Sequence, residues 1–216
     1  QQSHDDKLQY RIGWMLLNSV GTGKDEAAAK EWFERASKLG NPHAQYQLAR
    51  MILNNLSSTP EQTAQALEWL TKAAEAGQDC AQYMLGKIYR DGQGTEKDIQ
   101  KAVELFTVAA EQKNSFAAFA LGKLYLAGDV ALPKNSAAAL KWLTSAAELG
   151  NQSAQYRLGK LLLQGEDVPK DIETAVHWLT AAADQGNQYA QYALGKLYLL
   201  GKEVQKDRAS AIKWFQ

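Results

Sequence analysis

Two kinds of side chain recur together in this chain at a spacing that supports binding chemistry: an aromatic ring and, four residues later, a cation. Residues four apart share one face of a helix, so each ring and its charge are neighbours wherever the segment is helical. The rings are Tyr46, Tyr83, Phe119, Tyr156 and Tyr192, and the cations are Arg50, Lys87, Lys123, Lys160 and Lys196; Tyr10 and Trp14 occupy the same two places near the start. Cations attract carboxylates, and rings supply apolar and cation–π contact area. The pattern therefore predicts a face that binds a peptide or protein segment with acidic and apolar side chains.

The ring–cation pattern also has two other interpretations. An aromatic residue at a recurrent position can pack between neighbouring helices, and a lysine can lay its stem along an apolar face while its charge stays in water. Alternatively, the same pairs can contact the phosphates and bases of nucleic acid, in which case binding weakens steeply as salt rises. For the tyrosines, packing and partner contact stay equally open, whereas partner contact is favoured for the lysines.

Other candidate reactive groups stand alone in the sequence. The histidines His4, His43 and His177 have no cysteine or second histidine at the spacing of metal ligands. Cys80 lacks a histidine or aspartate partner at a recurring place, so a catalytic thiolate is disfavoured. We therefore predict a protein with no metal, no cofactor and no catalytic activity.

The segment Gly21-Thr22-Gly23-Lys24 resembles part of a phosphate-binding loop. That motif needs a glycine earlier in the loop, a serine or threonine after the lysine, and a preceding strand. Asp25 follows the lysine instead, and no strand pattern precedes it. We interpret the segment as a turn between two helices.

Composition excludes several classes of protein. The chain has 24 basic and 24 acidic residues and no net charge, so it lacks the cationic field typical of proteins that bind nucleic acid or anionic membranes. Its apolar runs are too short for a transmembrane span, and residues 1–6 do not form a signal peptide. Its single cysteine fits a reducing compartment. We predict a cytoplasmic location and no membrane insertion, and the composition disfavours a nucleic-acid partner.

The elements that must position these side chains repeat with a period of 36 or 37 residues. One marker is a segment of the type Ala-Gln-Tyr-x-Leu-Gly, which begins at Leu8, Ala44, Ala81, Ala117, Ala154 and Ala190. A second marker, which we assign to Trp32, Trp69, Phe106, Trp142, Trp178 and Trp214, keeps the same period. A fixed period of this length is typical of a solenoid, in which each unit buries its apolar face against its neighbours.

Each unit predicts a pair of helices. In the unit 81–116, Ala81, Leu85 and Tyr89 form one stripe of a first helix that stops near Gly92, where glycine permits a turn with positive φ. A second helix starts near Asp98 and carries Phe106 on its inner face. We predict an all-α, right-handed superhelix of antiparallel hairpins: a lead-in over 1–7, then a single solenoid domain over 8–216 with units 8–43, 44–80, 81–116, 117–153, 154–189 and a truncated 190–216.

Small residues within the helices predict how the hairpins stack. A glycine inside a helix costs about 1 kcal/mol relative to alanine, so close approach by a neighbouring helix must offset that cost. The glycines inside the first helices are Gly86, Gly122, Gly159 and Gly195. Pairs of alanines allow the same close approach in the second helices: Ala73-Ala74, Ala109-Ala110, Ala146-Ala147 and Ala182-Ala183. Stacking is expected to bury bulky leucine, tyrosine and tryptophan side chains between units.

The repeating pattern resembles the Sel-1-like repeat family, a relative of the tetratricopeptide repeat. The unit nearest to that pattern is Ala154-Gln-Tyr-Arg-Leu-Gly159, followed by Gly165, Asp171, Ala175, Trp178, Ala182-Ala183 and Gly186-Asn187. The resemblance covers residues 8 to 216 and implies a protein-interaction scaffold or adaptor, with the first helices lining a concave groove. It also admits an accessory or nucleic-acid-binding segment of a larger protein, such as a mobilisation enzyme.

The first two units depart from this pattern. Ser19 and Asn55 replace the turn glycine, so we expect turns of another shape there, and Ala49 replaces the first-helix glycine, so we expect a slightly wider approach of the helices. The chain starts without methionine and stops within the sixth unit. We therefore expect a piece of a longer protein, with self-association through Trp214 and Phe215 at the last edge.

Overall fold

The computed structural model describes residues 2–18, 23, 25–55 and 58–216, with side chains from Asp5 onward. Within these residues it contains twelve α-helices and no strand. The helices are α1 Gln2–Leu17, α2 Glu26–Lys38, α3 Pro42–Leu53, α4 Pro60–Glu75, α5 Asp79–Asp91, α6 Ile99–Glu111, α7 Ser115–Ala127, α8 Ser136–Glu148, α9 Gln152–Gln164, α10 Ile172–Asp184, α11 Gln188–Leu200 and α12 Arg208–Phe215. Ser19, most of the turn predicted at 21–24, and residues 56–57 lie outside the described residues, as does the side chain of His4.

The helices form two compact units, residues 1–109 and 110–216. In the first unit α1 packs on α2, α3 on α4, and the ring of Tyr83 in α5 on that of Phe106 in α6. In the second unit α7 packs on α8, α9 on α10 and α11 on α12. Successive hairpins also touch, through α2 and α3, α4 and α5, α8 and α9, and α10 and α11. The predicted all-α fold of stacked helical hairpins is confirmed.

Five of the first helices, α3, α5, α7, α9 and α11, begin at a capping amide. The side-chain oxygen of Asn151 accepts a hydrogen bond from the backbone N–H of Ala154 at 3.0 Å, which satisfies one of the four N–H groups left free at a helix start. Asn41, Gln78, Asn114 and Asn187 cap α3, α5, α7 and α11 in the same way. The motif alanine is therefore the third residue of its helix, and the helix begins two residues before it.

Glycines end the first helices, as the sequence predicts. Gly92, Gly165 and Gly201 adopt φ of 68°, 69° and 63°. A Cβ atom built on Gly165 would lie 2.6 Å from the Cβ of Lys170, where the chain turns back. Only glycine meets both the conformation and the close approach.

One turn after a second helix uses a residue poorly suited to its conformation. Gly40, Gly77, Gly150 and Gly186 follow α2, α4, α8 and α10 with φ between 81° and 85°. Lys113 occupies the matching place after α6 with φ 66°, and within the described part of the chain it alone has positive φ without being glycine. A side chain in the left-handed region costs about 1–2 kcal/mol.

Lys113→Gly is therefore expected to raise the free energy of unfolding. Part of the relieved strain is offset because glycine gives the unfolded chain more freedom, so the net gain is about 0.5–1 kcal/mol. Urea denaturation followed by circular dichroism measures it. Gly150→Ala is the matched control, because a Cβ there meets nothing within 4 Å and tests conformation alone. If Lys113→Gly instead lowers the free energy of unfolding, the left-handed backbone of Lys113 is not strained.

The second helices bury a different residue from the one the sequence marker indicated. Phe106 and Leu143 are fully buried, whereas Trp142 is only partly buried. The residue that corresponds to the tryptophans in α6 is Leu105, because it stands twelve residues before Ala117, as Trp142 stands before Ala154. The assignment of Phe106 to the tryptophan series is therefore wrong, and the tryptophans of the second helices are partly rather than fully buried.

The helical repeat explains this correction. Ala175, Leu179, Ala182 and Ala183 form the buried stripe of α10, and Trp178 is the residue before Leu179. Adjacent residues are rotated about 100° around a helix, so the tryptophan lies at the border of the stripe. There it can still join hairpins: Trp69 packs against the core of its own hairpin and against that of the preceding one.

Each glycine inside a first helix faces a side chain of the second helix of its own hairpin, and that side chain is buried except for Phe215, which faces Gly195. A Cβ on Gly86 would lie 2.7 Å from the ring of Phe106, and one on Gly159 would lie 2.7 Å from Cγ of Leu179 and 3.0 Å from the carbonyl oxygen of Ala175. The expected close approach is confirmed. The paired alanines of the second helices are likewise buried.

Candidate functional site

Three of the predicted ring–cation pairs are in contact, each within its own first helix. In α3 the guanidinium carbon of Arg50 lies 6.0 Å from the ring centroid of Tyr46. The Lys87 ammonium lies 5.8 Å from the Tyr83 ring in α5. In α7 the Lys123 ammonium lies 5.7 Å from the Phe119 ring. These distances are those of cation–π contacts, so each cation partly neutralises the negative face of its ring.

The predicted rings also pack within and between hairpins. Tyr83 lies 5.8 Å from Phe106, and Tyr192 lies 6.0 Å from Phe215, which are contacts with the second helix of the same hairpin. Tyr46 packs against the core that includes Leu85 of the next first helix. The half-buried tyrosines therefore contribute to packing, and only the exposed part of each ring is available to a partner.

Burial changes the acidity of two of these tyrosines. Burial raises the pKa of Tyr46, and the nearby Cys80 and Asp79 add to the rise, while a hydrogen bond from Arg50 opposes it. Burial also raises the pKa of Tyr83. Both phenols therefore stay neutral at physiological pH and present a hydroxyl group rather than a phenolate.

A cleft between α9 and α11 joins the last two ring–cation pairs. Its volume is about 430 Å³, within the range of about 300–1,000 Å³ typical of ligand pockets. Tyr156, Lys160 and Leu163 line it from α9, and Tyr192, Lys196 and Leu200 line it from α11. The structure thus brings four of the predicted site residues into one concave surface.

Two aromatic rings at this cleft keep most of their surface exposed. Tyr192 is 63% exposed and Tyr189, which also lines the cleft, is 72% exposed. Tyr189 lies 5.9 Å from the half-buried ring of Tyr156, so the two rings extend from the interior to the rim. Exposed rings beside a concavity are typical of binding surfaces.

Charge in the cleft is mainly positive. Lys160, Lys196 and Lys202 line it, and none of them has an ion-pair partner among the described residues. Glu203 also lines it, but its carboxylate is bound by the ammonium of Lys170 at 2.7 Å. The cleft therefore offers uncompensated cations to a negatively charged ligand.

Sequence reasoning missed a recurring structural amide. The side chains of Gln82 and Gln155 are buried and donate hydrogen bonds, each at 3.1 Å, to the carbonyl oxygens of Ala74 and Ala147 near the end of the preceding second helix. Gln191 does the same to Ala183 at 3.3 Å. These bonds satisfy carbonyls that a helix end leaves free. In the sequence, the glutamine that directly follows the motif alanine marks these positions.

Tyr189, Leu200 and Lys202 were also missed as residues of the cleft. Their signal is weak because they do not recur. At the place of Tyr189, for example, the other units have Lys7, His43, Cys80, Phe116 and Ser153. A search by period therefore cannot find them.

The structure offers no second candidate for chemistry in its described part. No three His, Cys, Asp or Glu side chains come together there in a way that could hold a metal ion. Burial and the neighbouring Asp79 raise the pKa of the Cys80 thiol, which disfavours the reactive thiolate. Across the same residues, each helix is too short or too polar to span a bilayer.

Comparison with known proteins assigns the repeats to one family. The profile of the Sel1 repeat matches residues 7–41, 42–78, 81–114, 115–151, 152–187 and 188–216. A Sel1 repeat protein from Oxalobacter formigenes is 30% identical, with a TM-score of 0.88 over 97% of this chain and 85% of that chain. A search of curated proteins found no match.

Two further solved structures are similar. A protective antigen of uropathogenic Escherichia coli strains with an SLR fold is 33% identical, with a TM-score of 0.85 over 99% of this chain and 45% of that one. The immunity protein Pa5087 from Pseudomonas aeruginosa is 29% identical, with a TM-score of 0.53 over 81% of this chain and 64% of that one. The chain therefore spans less than half the length of the antigen.

Proposed function

Since the chain belongs to the Sel1 repeat family, we propose that it is a non-catalytic adaptor that binds a peptide or protein segment along the ring–cation face of its first helices. Proteins of this family generally act as protein-interaction scaffolds. We call this face, made of the five aromatic residues and five cations predicted above, the ladder face. The observation that carries the proposal is the cleft in which the ladder residues Tyr156, Lys160, Tyr192 and Lys196 meet.

The chemistry of the ladder face determines the kind of partner. Lys87, Lys123, Lys160 and Lys196 are exposed, while the rings beside Lys87, Lys123 and Lys160 are half-buried. Exposed ammonium groups attract carboxylates and set orientation, and the rings add apolar contact area. A partner segment that alternates acidic and apolar side chains meets both requirements.

Affinity capture tests the proposal. The chain is immobilised, proteins retained from a lysate of the source organism are identified, and each candidate is then purified. Isothermal titration calorimetry with the two purified proteins must give saturable one-to-one binding. Failure of every purified candidate to bind would reject the adaptor role.

The triple variant Lys87→Ala, Lys123→Ala and Lys160→Ala is expected to weaken binding of the captured partner by about tenfold, because each exposed charge pair contributes roughly 0.2–1 kcal/mol. Its free energy of unfolding should stay within about 1 kcal/mol of wild type, since surface changes seldom cost more. Calorimetry measures the binding and urea denaturation the stability.

A matched control replaces three lysines of the second helices. Lys101, Lys141 and Lys213 also lie over aromatic rings, at 4.8, 4.9 and 4.5 Å, but none belongs to the ladder face. The triple alanine variant at these positions removes the same charge and should bind the partner as wild type does. Equal weakening by both triples would show a general charge effect.

Nucleic acid is the alternative ligand, because lysines beside tyrosines can also contact phosphates and bases. The zero net charge of the chain disfavours it. Fluorescence anisotropy with a labelled single-stranded oligonucleotide decides the matter. A steep loss of binding between low and moderate salt would favour this alternative over a peptide.

We also propose a cytoplasmic location, which rests on the single free cysteine, Cys80. Cell fractionation with an antibody against the chain tests it. The E. coli relative is described as a protective antigen, so recovery of this chain from the cell surface or the medium is the result that would reject the proposal.

A further inference from the structure

We infer that the cleft between α9 and α11 is the main docking site of the protein, and that its ligand is a short peptide segment with one apolar anchor residue flanked by carboxylates. This inference rests on the proposed adaptor function and assigns the partner's chemistry at one place on the ladder face.

The interior of the cleft is apolar. Leu179 is fully buried and Leu197 nearly so, while Leu163 and Ala193 are half-buried. These four residues form a floor without a charged group. An apolar side chain that covers the accessible parts of Leu163 and Ala193 gains free energy by removing that surface from water. A phosphate placed on the same floor would lose hydration without gaining a hydrogen bond from these four side chains.

The walls of the cleft are aromatic. Tyr156 is half-buried against the core below it, whereas Tyr189 and Tyr192 keep most of their surface exposed. Tyrosine is favoured at docking sites because a rigid ring offers a large contact area for little loss of conformational freedom. An anchor side chain that inserts beside Tyr156 would be covered by the two outer rings.

Three lysines surround this apolar centre. Lys160 belongs to α9, Lys196 to α11, and Lys202 to the turn that follows α11. The carboxylate of Glu203 is already bound to Lys170, so it does not neutralise them. Because the cations come from two helices and a turn, a ligand must carry carboxylates on both sides of its anchor to meet them all.

Two other first helices, α9 and α5, lack residues on which this cleft depends. Ser153 takes the place of Tyr189 in α9, and Gln164 takes the place of Leu200. In α5 the residues at the places of Leu199 and Leu200 are Arg90 and Asp91, which bind each other through two hydrogen bonds of 2.7 Å. The cleft between α9 and α11 thus offers an apolar centre together with uncompensated positive charge.

Peptide display tests the inference directly, because the selection requires only the chain itself. A library of short random peptides is selected against the immobilised chain, and enriched peptides are synthesised with a fluorescent label. Anisotropy then measures their affinity for wild type and for the double variant Lys160→Glu, Lys196→Glu. We expect enriched peptides with an aromatic or leucine residue between aspartates or glutamates, and at least about tenfold weaker binding to the double variant.

The control is the double variant Lys141→Glu, Lys213→Glu, which reverses the same charge on second helices outside the cleft and should bind the peptides as wild type does. Tyr192→Ala keeps all the charges and should also weaken binding, because Tyr192 supplies exposed wall surface. Circular dichroism and a thermal melt verify that each variant is folded.

The outcomes separate the inference from the proposed function. Enriched peptides that lack acidic residues, or that bind the Lys160→Glu, Lys196→Glu variant as well as wild type, would overturn the docking site. The adaptor function would survive in that case if a purified partner still binds the chain. Failure to enrich any peptide would overturn the inference, and the adaptor function would fail with it only if affinity capture also yields no binding partner.

Discussion

Leu143→Ala is expected to lower the free energy of unfolding by about 2–5 kcal/mol, as is typical of a large-to-small change in a packed core. Leu143 is fully buried, and a Cβ atom built on Gly122 would lie only 2.7 Å from its Cγ atom. Removing the leucine side chain therefore opens a cavity between two helices of one hairpin. Phe106→Ala, at the matching place in α6, should lower the free energy of unfolding by about 3–5 kcal/mol. Urea denaturation monitored by circular dichroism measures both changes.

The residue before Leu143 is the control for this prediction. Trp142 is larger but only partly buried, and the ammonium of Lys141 lies 4.9 Å from its ring. Trp142→Ala should therefore cost about 1–2 kcal/mol, in proportion to the apolar area that it removes from water. A greater loss for Trp142→Ala than for Leu143→Ala would show that the tryptophans, and not the residues after them, hold the hairpins together.

Gly159→Ala is expected to destabilise the protein by about 1–3 kcal/mol, the usual cost of overpacking a core. Alanine is the better helix former by about 1 kcal/mol, so propensity alone predicts the opposite sign. The added Cβ would meet Cγ of Leu179 at 2.7 Å and the carbonyl oxygen of Ala175 at 3.0 Å. Leu179 is fully buried and Ala175 O belongs to the backbone, so α9 and α10 must move apart to admit it.

The second repeat, residues 44–80, supplies the reciprocal variant. Ala49 stands where the other units have glycine, and it is fully buried in the core with Leu70. Ala49→Gly should lose about 1 kcal/mol through helix propensity, without any relief of crowding. The two variants therefore both destabilise the chain, for different reasons. A stabilised Gly159→Ala protein would exclude close approach as the reason for the glycine.

The sequence by itself determined the helices, their order and their turns. These features depend on interactions between residues close in the chain: Ala81, Leu85 and Tyr89 recur at helical spacing, and Gly92 has the left-handed conformation expected where α5 ends. The pairing of Tyr83 with Lys87 follows from the same local rule, and their 5.8 Å contact agrees with it. Repetition of the pattern then predicted that the hairpins stack.

Only the tertiary structure decided which neighbouring side chains are buried and where the cleft lies. Trp142 and Leu143 are both apolar, so composition cannot separate them, and burial depends on the rotation of α8 against α7. The cleft needs Tyr189 and Leu200, which do not recur, beside Tyr156 and Lys160, which lie at least 29 residues earlier in the chain. Contacts between residues so far apart depend on how hairpins pack, and a pattern within one helix has no information about that packing.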